Sequence, residues 1–376
     1  MSLRFLLLSA CHCLRLPPKA RQRVASLFRP RREAWQAITA RVIGVAFLAH
    51  ACTPPLFAGS ADEQAAELVK AYGGSLVFVE DRSGAGSGFV CSFGGKKFIF
   101  TNQHVVAGHS GASLTSLDQS PIKTGQAAAA VGHDIMSLQL LTDTKAMDMM
   151  TEVEKNASIG DDVVVLGNPE GARVIKPLTG KLVGIGPNLI EVSAEFVPGN
   201  SGSPIVHLKS GKVIGVATYA VIRDVNSLTG EREKKVRRFG YRLDSVKQWQ
   251  PVAWAAYNEE FASIERIKER THDLAALLRE MSRTGGVNAS HHQNPAIRHP
   301  LDKFGDAIAG KGIIPTDRAR AVKDLMAAMR TVTQSDIEQA NARVHYDFFR
   351  RELAEEQQVR AQFYKIFDEA MKLPAK

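Results

Sequence analysis

From Ser75 to Val252 the apolar positions come in short runs or alternate with polar ones, and glycine or turn residues close each run. Ser75-Leu76-Val77-Phe78-Val79, Phe98-Ile99-Phe100 and Asp162-Val163-Val164-Val165-Leu166 are of this kind. Such segments are too short for packed helices and carry the β-branched and aromatic residues that suit a pleated surface. Leu182-Val183-Gly184-Ile185 and Leu189-Ile190-Glu191-Val192 flank Gly186-Pro187-Asn188, which predicts a hairpin. Val213-Ile214-Gly215-Val216 and Phe239-Gly240-Tyr241-Arg242-Leu243 follow. Many short strands with turn signals predict a mainly β domain of the barrel kind. Near Trp249 the period changes. Phe261, Ile264, Ile267, Thr271, Leu274, Leu278 and Met281 recur at helical spacing, as do Ile337, Val344, Phe348, Val359, Phe363 and Ile366. A loop rich in Gly, Asn, His and Pro covers about 284–300. Thr316 and Ser335 read as helix N-caps, the latter with Glu338 three residues on as a capping box. The expected layout is a leader over 1–61, a β domain over 66–250 in two halves (about 66–150 and 155–250), and an α-helical region over 253–374.

The chemistry concentrates in three blocks of the β region. Gly199-Asn200-Ser201-Gly202-Ser203-Pro204 sets a serine between glycines at the entrance to an apolar strand. There the backbone can take conformations that bring N–H groups together on one point. A serine hydroxyl needs a base to remove its proton and a third group to orient that base. Thr101-Asn102-Gln103-His104-Val105-Val106 offers the base. His133-Asp134-Ile135-Met136-Ser137-Leu138 offers a carboxylate at the mouth of a strand.

The order His, Asp, Ser is that of chymotrypsin-type peptidases. TNQHVV, HDIMSLQL and GNSGSPIV resemble the three catalytic blocks of trypsin-like serine peptidases of the bacterial HtrA/Deg type. Gly86-Ser87-Gly88-Phe89-Val90, Leu166-Gly167-Asn168-Pro169 and Gly215-Val216-Ala217 fall in the matching order, and the resemblance covers roughly 66–250. It implies a chymotrypsin-like double six-stranded β-barrel followed here by an α-helical C-terminal extension. It also implies Ser201 as nucleophile, His104 as general base and then acid, and Asp134 as the group that orients His104. The backbone N–H groups of Gly199 and Ser201 would form the oxyanion hole. His109, His133 and His207 read as packed or solvated histidines. Ser203 departs from the second glycine usual in HtrA enzymes, but glutamyl endopeptidases of the same fold also carry GNSGSP. Their strand after the nucleophile holds a histidine that binds the substrate acid. Here it reads Gly215-Val216-Ala217-Thr218-Tyr219-Ala220, without a histidine, so glutamate specificity is not expected.

The resemblance places Glu195, Phe196, Thr218 and Tyr219 around the primary specificity pocket. Glu195 lies six residues before Ser201, where trypsins carry the acid that selects Arg or Lys. Its alternative is a solvent-facing residue of an alternating strand. Phe196 matches the bulky position that narrows the HtrA pocket, and a small or medium apolar preference is expected. HtrA enzymes commonly carry peptide-binding PDZ modules after the peptidase domain. The helical spacing here does not resemble one, and packing, oligomerisation or partner binding is the expected role of the tail. A protease-fold binding or chaperone-like protein with a dormant triad is the alternative function.

Charge changes the picture only at the N-terminus. The formal net charge is +9, but residues 1–61 hold nine Lys/Arg and one acid, a net of +8. The β and helical regions are close to neutral, which argues against a nucleic-acid footprint. Lys234-Lys235-Val236-Arg237-Arg238 reads as a solvated loop or strand edge. Arg29, Arg31, Arg32 and Arg41 precede an apolar core, Val42–Ala49, and small residues around Leu56–Ala61. That order fits a secretory leader and a periplasmic or secreted enzyme, with organelle targeting or lipid anchoring as alternatives. The apolar core is shorter than the ~20 residues a membrane span needs, so no stable span is expected in the mature chain. Cys11, Cys13 and Cys52 would leave with the leader, and Cys91 would remain as a small buried residue. No metal or cofactor is expected: His291, His292 and His299 lack paired ligand spacing. The expected partners are protein or peptide substrates, and a second copy or a partner protein on the helices.

Overall fold

A computed structural model describes residues 59–80, 84–108, 113–226, 232–284, 298 and 315–371. Residues 1–58 of the leader expected over 1–61, with its three cysteines, lie outside the described residues, as do His109 and nearly all of the loop 284–300, whereas Ala61 opens a helix. The chain divides into two compact units. One takes in residues 55–266 together with 339–354; the other, among the described residues, takes in 267–338 and 355–371. The sequence pattern alone sets the boundary near 250. The contacts of the chain keep the start of the helical region and a short segment near 346 with the β elements.

The first unit opens on α1 (Ala61–Tyr72), fixed by a capping box in which Ser60 and Glu63 satisfy each other's backbone N–H. Seven strands follow, with a single-turn interruption: β1 (Leu76–Glu80), β2 (Ala85–Phe93), β3 (Lys96–Thr101), then α2 (Gln103–Val106), β4 (Ser113–Ser116), β5 (Thr124–Ala130), β6 (Met136–Leu140) and β7 (Met147–Asp148). After α3 (Val153–Asn156) come β8 (Asp162–Gly167), β9 (Lys176–Ile185), β10 (Leu189–Val192), β11 (Pro204–His207), β12 (Lys212–Asn226), β13 (Arg232–Tyr241) and β14 (Trp249–Pro251). The second group closes into a six-stranded barrel in the order β10-β13-β12-β11-β8-β9. The first group is an eight-stranded sheet in the order β14-β5-β6-β3-β2-β1-β4, with β7 on β2. The mainly β fold with helices at its C-terminal end is therefore as expected. The first half differs from an isolated six-stranded barrel because β14, which follows the second barrel in sequence, returns to pair with β5. The predicted hairpin is β9–β10, closed by the Gly186 N–H on the Leu189 carbonyl at 2.7 Å.

The continuous apolar run of β8 has a physical explanation. Val163 and Val165 face the barrel interior with Leu182, Ile190 and Ile205. Val164 and Leu166 face a second core with Phe89, Phe100, Val206 and Leu243, which joins the two halves. A strand buried on both faces loses its polar alternation. Cys91 sits in that second core, where burial and the charge of Asp148 push its thiol up to about 12. A thiol so rarely ionised is a packing residue.

Among the described residues three long helices follow the β elements: α4 (Trp254–Thr284), α5 (Pro315–Asn341) and α6 (Asp347–Met371). In the second unit their segments meet at Arg360, which is 3% exposed. Its guanidinium donates to the Thr271 hydroxyl at 2.8 Å, the Thr333 carbonyl at 2.8 Å and the Ile267 carbonyl at 2.7 Å. The expected cap at Ser335 is not a helix start. The α5 helix runs through it, with the Thr333 hydroxyl on the Met329 carbonyl and Asp336 paired to Arg270, and the break falls at 342–346. Thr316 likewise lies inside α5, one residue past its first. No helix among the described residues is long and apolar enough to cross a membrane.

Candidate active site

His104 lies in the single turn of α2, at the end of the buried strand β3, and its side chain is 40% exposed. Asp134 stands in the turn between β5 and β6 and is buried. Its Oδ2 is 2.6 Å from His104 Nδ1, and its Oδ1 accepts the His104 backbone N–H at 3.1 Å. Both carboxylate oxygens therefore bind one residue, which fixes the imidazole's position and places a proton on Nδ1.

Ser201 approaches from the second barrel. Its hydroxyl donates to the Thr218 carbonyl at 3.3 Å. The buried Asn102 amide ties the two halves together: Nδ2 donates to the Asp134 carbonyl at 2.6 Å and to the Thr218 hydroxyl at 3.0 Å. Ser201, Thr218, Asn102, Asp134 and His104 are thus joined residue to residue, through different atoms of Thr218 and of Asp134. The Ser201 loop is pinned from behind as well. Its carbonyl accepts the Ser87 N–H at 2.8 Å, and the Ser87 hydroxyl donates to the Gly199 carbonyl at 2.8 Å. Gly202, at φ +88°, brings its backbone against Ser87, so that a Cβ there would collide with the Ser87 carbonyl oxygen.

The turn before Ser201 is closed by the Asn200 N–H on the Val197 carbonyl at 3.0 Å, with Gly199 at φ +93°. The Pro198 carbonyl accepts the Glu170 N–H at 2.8 Å. A trans peptide points its N–H opposite to its C=O, so the Gly199 N–H faces away from Glu170. Among the described residues no protein acceptor takes the N–H of Gly199 or of Ser201. The loop that holds Pro198 is itself in the left-handed region at Glu170 (φ 57°) and Arg173 (φ 56°), and is braced by the bidentate Arg173–Glu80 pair.

Of the proposed pocket residues, Phe196 and Thr218 are buried, whereas Glu195 is exposed and Tyr219 is 37% exposed, stacked on Phe239. Glu195 continues the burial alternation of β10 but lies beyond its last residue, Val192. Among the described residues no three His, Cys, Asp or Glu side chains gather as a metal site.

The sequence left several supporting residues unremarked. Gln103 is fully buried, and its amide donates to the carbonyls of Ala130 and His133 at 3.1 and 2.7 Å, framing the Asp134 turn. Tyr257 of α4, also fully buried, donates its hydroxyl to Gln103 Oε1 at 3.1 Å; burial and the Asp134 charge raise its pKa. Gly132 gives its N–H to Asp347 at 2.8 Å. Polar residues next to His104 and Asp134 were the available signal.

His133 is buried, with Nδ1 donating to the Val131 carbonyl and Nε2 against the Ser245 hydroxyl at 2.7 Å. Burial, with the nearby Arg351 and Arg242 charges, depresses its pKa below the usual 6.5. The unfolded chain then binds the proton more readily than the folded one. The stability contributed by the neutral ring is complete above about pH 6.5 and is lost as pH falls below it toward the folded value. The urea midpoint is expected to drop between about pH 7.5 and 5.5, and His133→Gln to drop less. Equal slopes in the two proteins would exclude His133 as the source.

Residues 86–216 match the family described as "Trypsin-like peptidase domain". The matched segment runs from β2 into β12, so the similarity to a trypsin-like peptidase domain falls within the β unit. Among the proteins that the chain resembles are HtrA-type proteases. "Serine protease Do-like HtrA" of Bacillus subtilis (strain 168) is 21% identical over 197 residues, 49% of this chain and 41% of that protein. "Serine protease Do-like HtrA" of Lactococcus lactis subsp. lactis (strain IL1403) is 26% identical over 263 residues, 61% of each. The serine endoprotease from Yersinia pestis overlays at a TM-score of 0.38 and 23% identity, covering 50% of this chain and 63% of that one. The chain spans about two fifths of the Bacillus protein's length.

Proposed function

We propose that this chain is a serine endopeptidase that hydrolyses protein substrates through an acyl-enzyme. The bond between Asp134 and the His104 ring carries the proposal, because it orients the imidazole through Nδ1 and leaves Nε2 to act as the base. His104 takes the Ser201 proton as Oγ bonds to the scissile carbonyl carbon. The same proton then passes to the amine as the C–N bond breaks. A water, deprotonated by His104, hydrolyses the ester and returns the serine. The Gly199 and Ser201 N–H groups, which have no protein acceptor among the described residues, receive the oxyanion. The basic, apolar-cored leader supports export to the periplasm or outside the cell, and the relatives' HtrA character supports protein substrates and self-association.

One observation favours a dormant site instead: the Ser201 hydroxyl gives its single proton to Thr218. Rotation about one side-chain bond redirects it, whereas a collapsed backbone would not be so easily restored. A fluorophosphonate probe tests both readings. Labelling of the wild type that disappears in Ser201→Ala and falls sharply in His104→Ala is the expected result. Absence of wild-type labelling across pH would decide for the dormant site.

A further inference from the structure

In the cluster read as a solvated strand edge Lys235 and Val236 are exposed, but Arg237 and Arg238 are half-buried. Along β13 successive side chains point to opposite faces. Arg237 and Phe239 share one of them: Arg237 grips Glu191 with two hydrogen bonds of 2.8 and 2.5 Å and lies 5.0 Å over the Phe239 ring, which stacks on Tyr219. Arg238 and Gly240 take the other face. A Cβ on Gly240 would meet Ile205, a residue of the barrel interior, so this is the inward face. Arg238 therefore enters the barrel end between its two strand partners, Val192 of β10 and Ala220 of β12.

Its guanidinium reaches the specificity walls. Nε donates to the Phe196 carbonyl at 3.0 Å, and Phe196 is 5% exposed. Thr218, two residues before the Ala220 partner, carries the carbonyl that holds the Ser201 hydroxyl. Among the described residues the fork makes one hydrogen bond, which leaves most of its donors unused. Three other arginines around this barrel have acids: Arg237 has Glu191, Arg242 has Asp244 and Glu154, and Arg173 has Glu80. Among the described residues no carboxylate pairs with Arg238, and the neighbouring Glu195 is exposed. A half-buried cation without a counter-charge is costly, and its planar fork fits a carboxylate.

We infer that Arg238 is a specificity-determining residue that receives an acidic side chain, glutamate or aspartate, on the acyl side of the cleaved bond. The inference rests on the proposed peptidase function and deepens it. It departs from the apolar preference expected from Phe196 and supplies, from a different strand, the anion-binding group whose histidine counterpart is missing.

Peptidyl diphenyl phosphonates that differ only in the side chain next to the warhead, as glutamate, aspartate, valine and lysine analogues, test it by their rates of covalent labelling. The acidic probes are expected to react about tenfold faster than the valine probe or better. Arg238→Gln is expected to bring that ratio to one or below, and Arg238→Lys to keep part of it. A fluorophosphonate without a peptide is run beside them. If it fails to label the wild type, the nucleophile itself fails and the inference falls with it. If it labels but the acidic probes are no faster than valine, the specificity alone is overturned. An unchanged ratio in Arg238→Gln that still takes the fluorophosphonate would remove Arg238 from the role. Should that variant not fold, the wild-type ratio and Arg238→Lys decide.

Discussion

Asp134→Asn is expected to lower kcat on the order of 10⁴-fold while leaving the fold intact. The carboxylate makes two contacts with one residue, the His104 backbone N–H and its ring Nδ1. An asparagine oxygen can replace only one of them. If its NH2 faces the ring, Nδ1 must become an acceptor and the proton moves to Nε2. The nitrogen that should take the Ser201 proton then already holds one. Burial of Asp134 keeps water from restoring the lost orientation. The check is single-turnover cleavage or fluorophosphonate labelling of both proteins, with urea midpoints measured beside it. A loss below about tenfold, at unchanged stability, would mean that the Asp134 carboxylate does not set the tautomer.

Much of this site could be read from residues alone, for a physical reason. His104, Asp134 and Ser201 each sit where an apolar strand meets a polar turn, and each lies inside a local block whose order carries meaning. What joins them is not local. Asn102 binds Asp134 across 32 residues and Thr218 across 116, and neither polar residue differs in sequence from any other near a strand end. The run from Lys234 to Arg238 shows the same limit. Its composition suggests solvent, but strand alternation sends Arg237 to Glu191 and Arg238 toward Phe196. The apolar runs of β8 and β11 were legible because burial on both faces removes polar residues outright. Helix ends were harder: Ser335 has the residues of a cap, but the Arg270–Asp336 pair and packing around Arg360 favour a continuous α5.

Phe349→Ala is expected to destabilise the peptidase unit by about 3–5 kcal/mol, a fall in Tm on the order of 10 °C. Phe349 is 1% exposed and its ring lies 4.7 Å from that of Tyr257 and 6.4 Å from that of Phe261. Around it the segment 339–354 is bonded to the same unit. Glu260 accepts the N–H groups of His345 and Tyr346 at 3.0 and 3.1 Å, the Tyr346 hydroxyl accepts from Ala253 at 2.9 Å, and Asp347 takes the Gly132 N–H. A cavity beneath Tyr257 loosens the hydrogen bond to Gln103, which frames the Asp134 turn. Activity should therefore fall together with stability. Tyr257→Phe separates the two effects: it keeps the ring and its packing, so Tm should change little, while removal of the hydroxyl slows fluorophosphonate labelling. Thermal scans and labelling rates of both variants are the measurement. If the tail were a mere appendage, Phe349→Ala would shift neither. If it served folding alone, Tyr257→Phe would label at the wild-type rate. Loss of labelling in Tyr257→Phe at a preserved Tm would assign the start of the helical region to the machinery that positions His104 and Asp134.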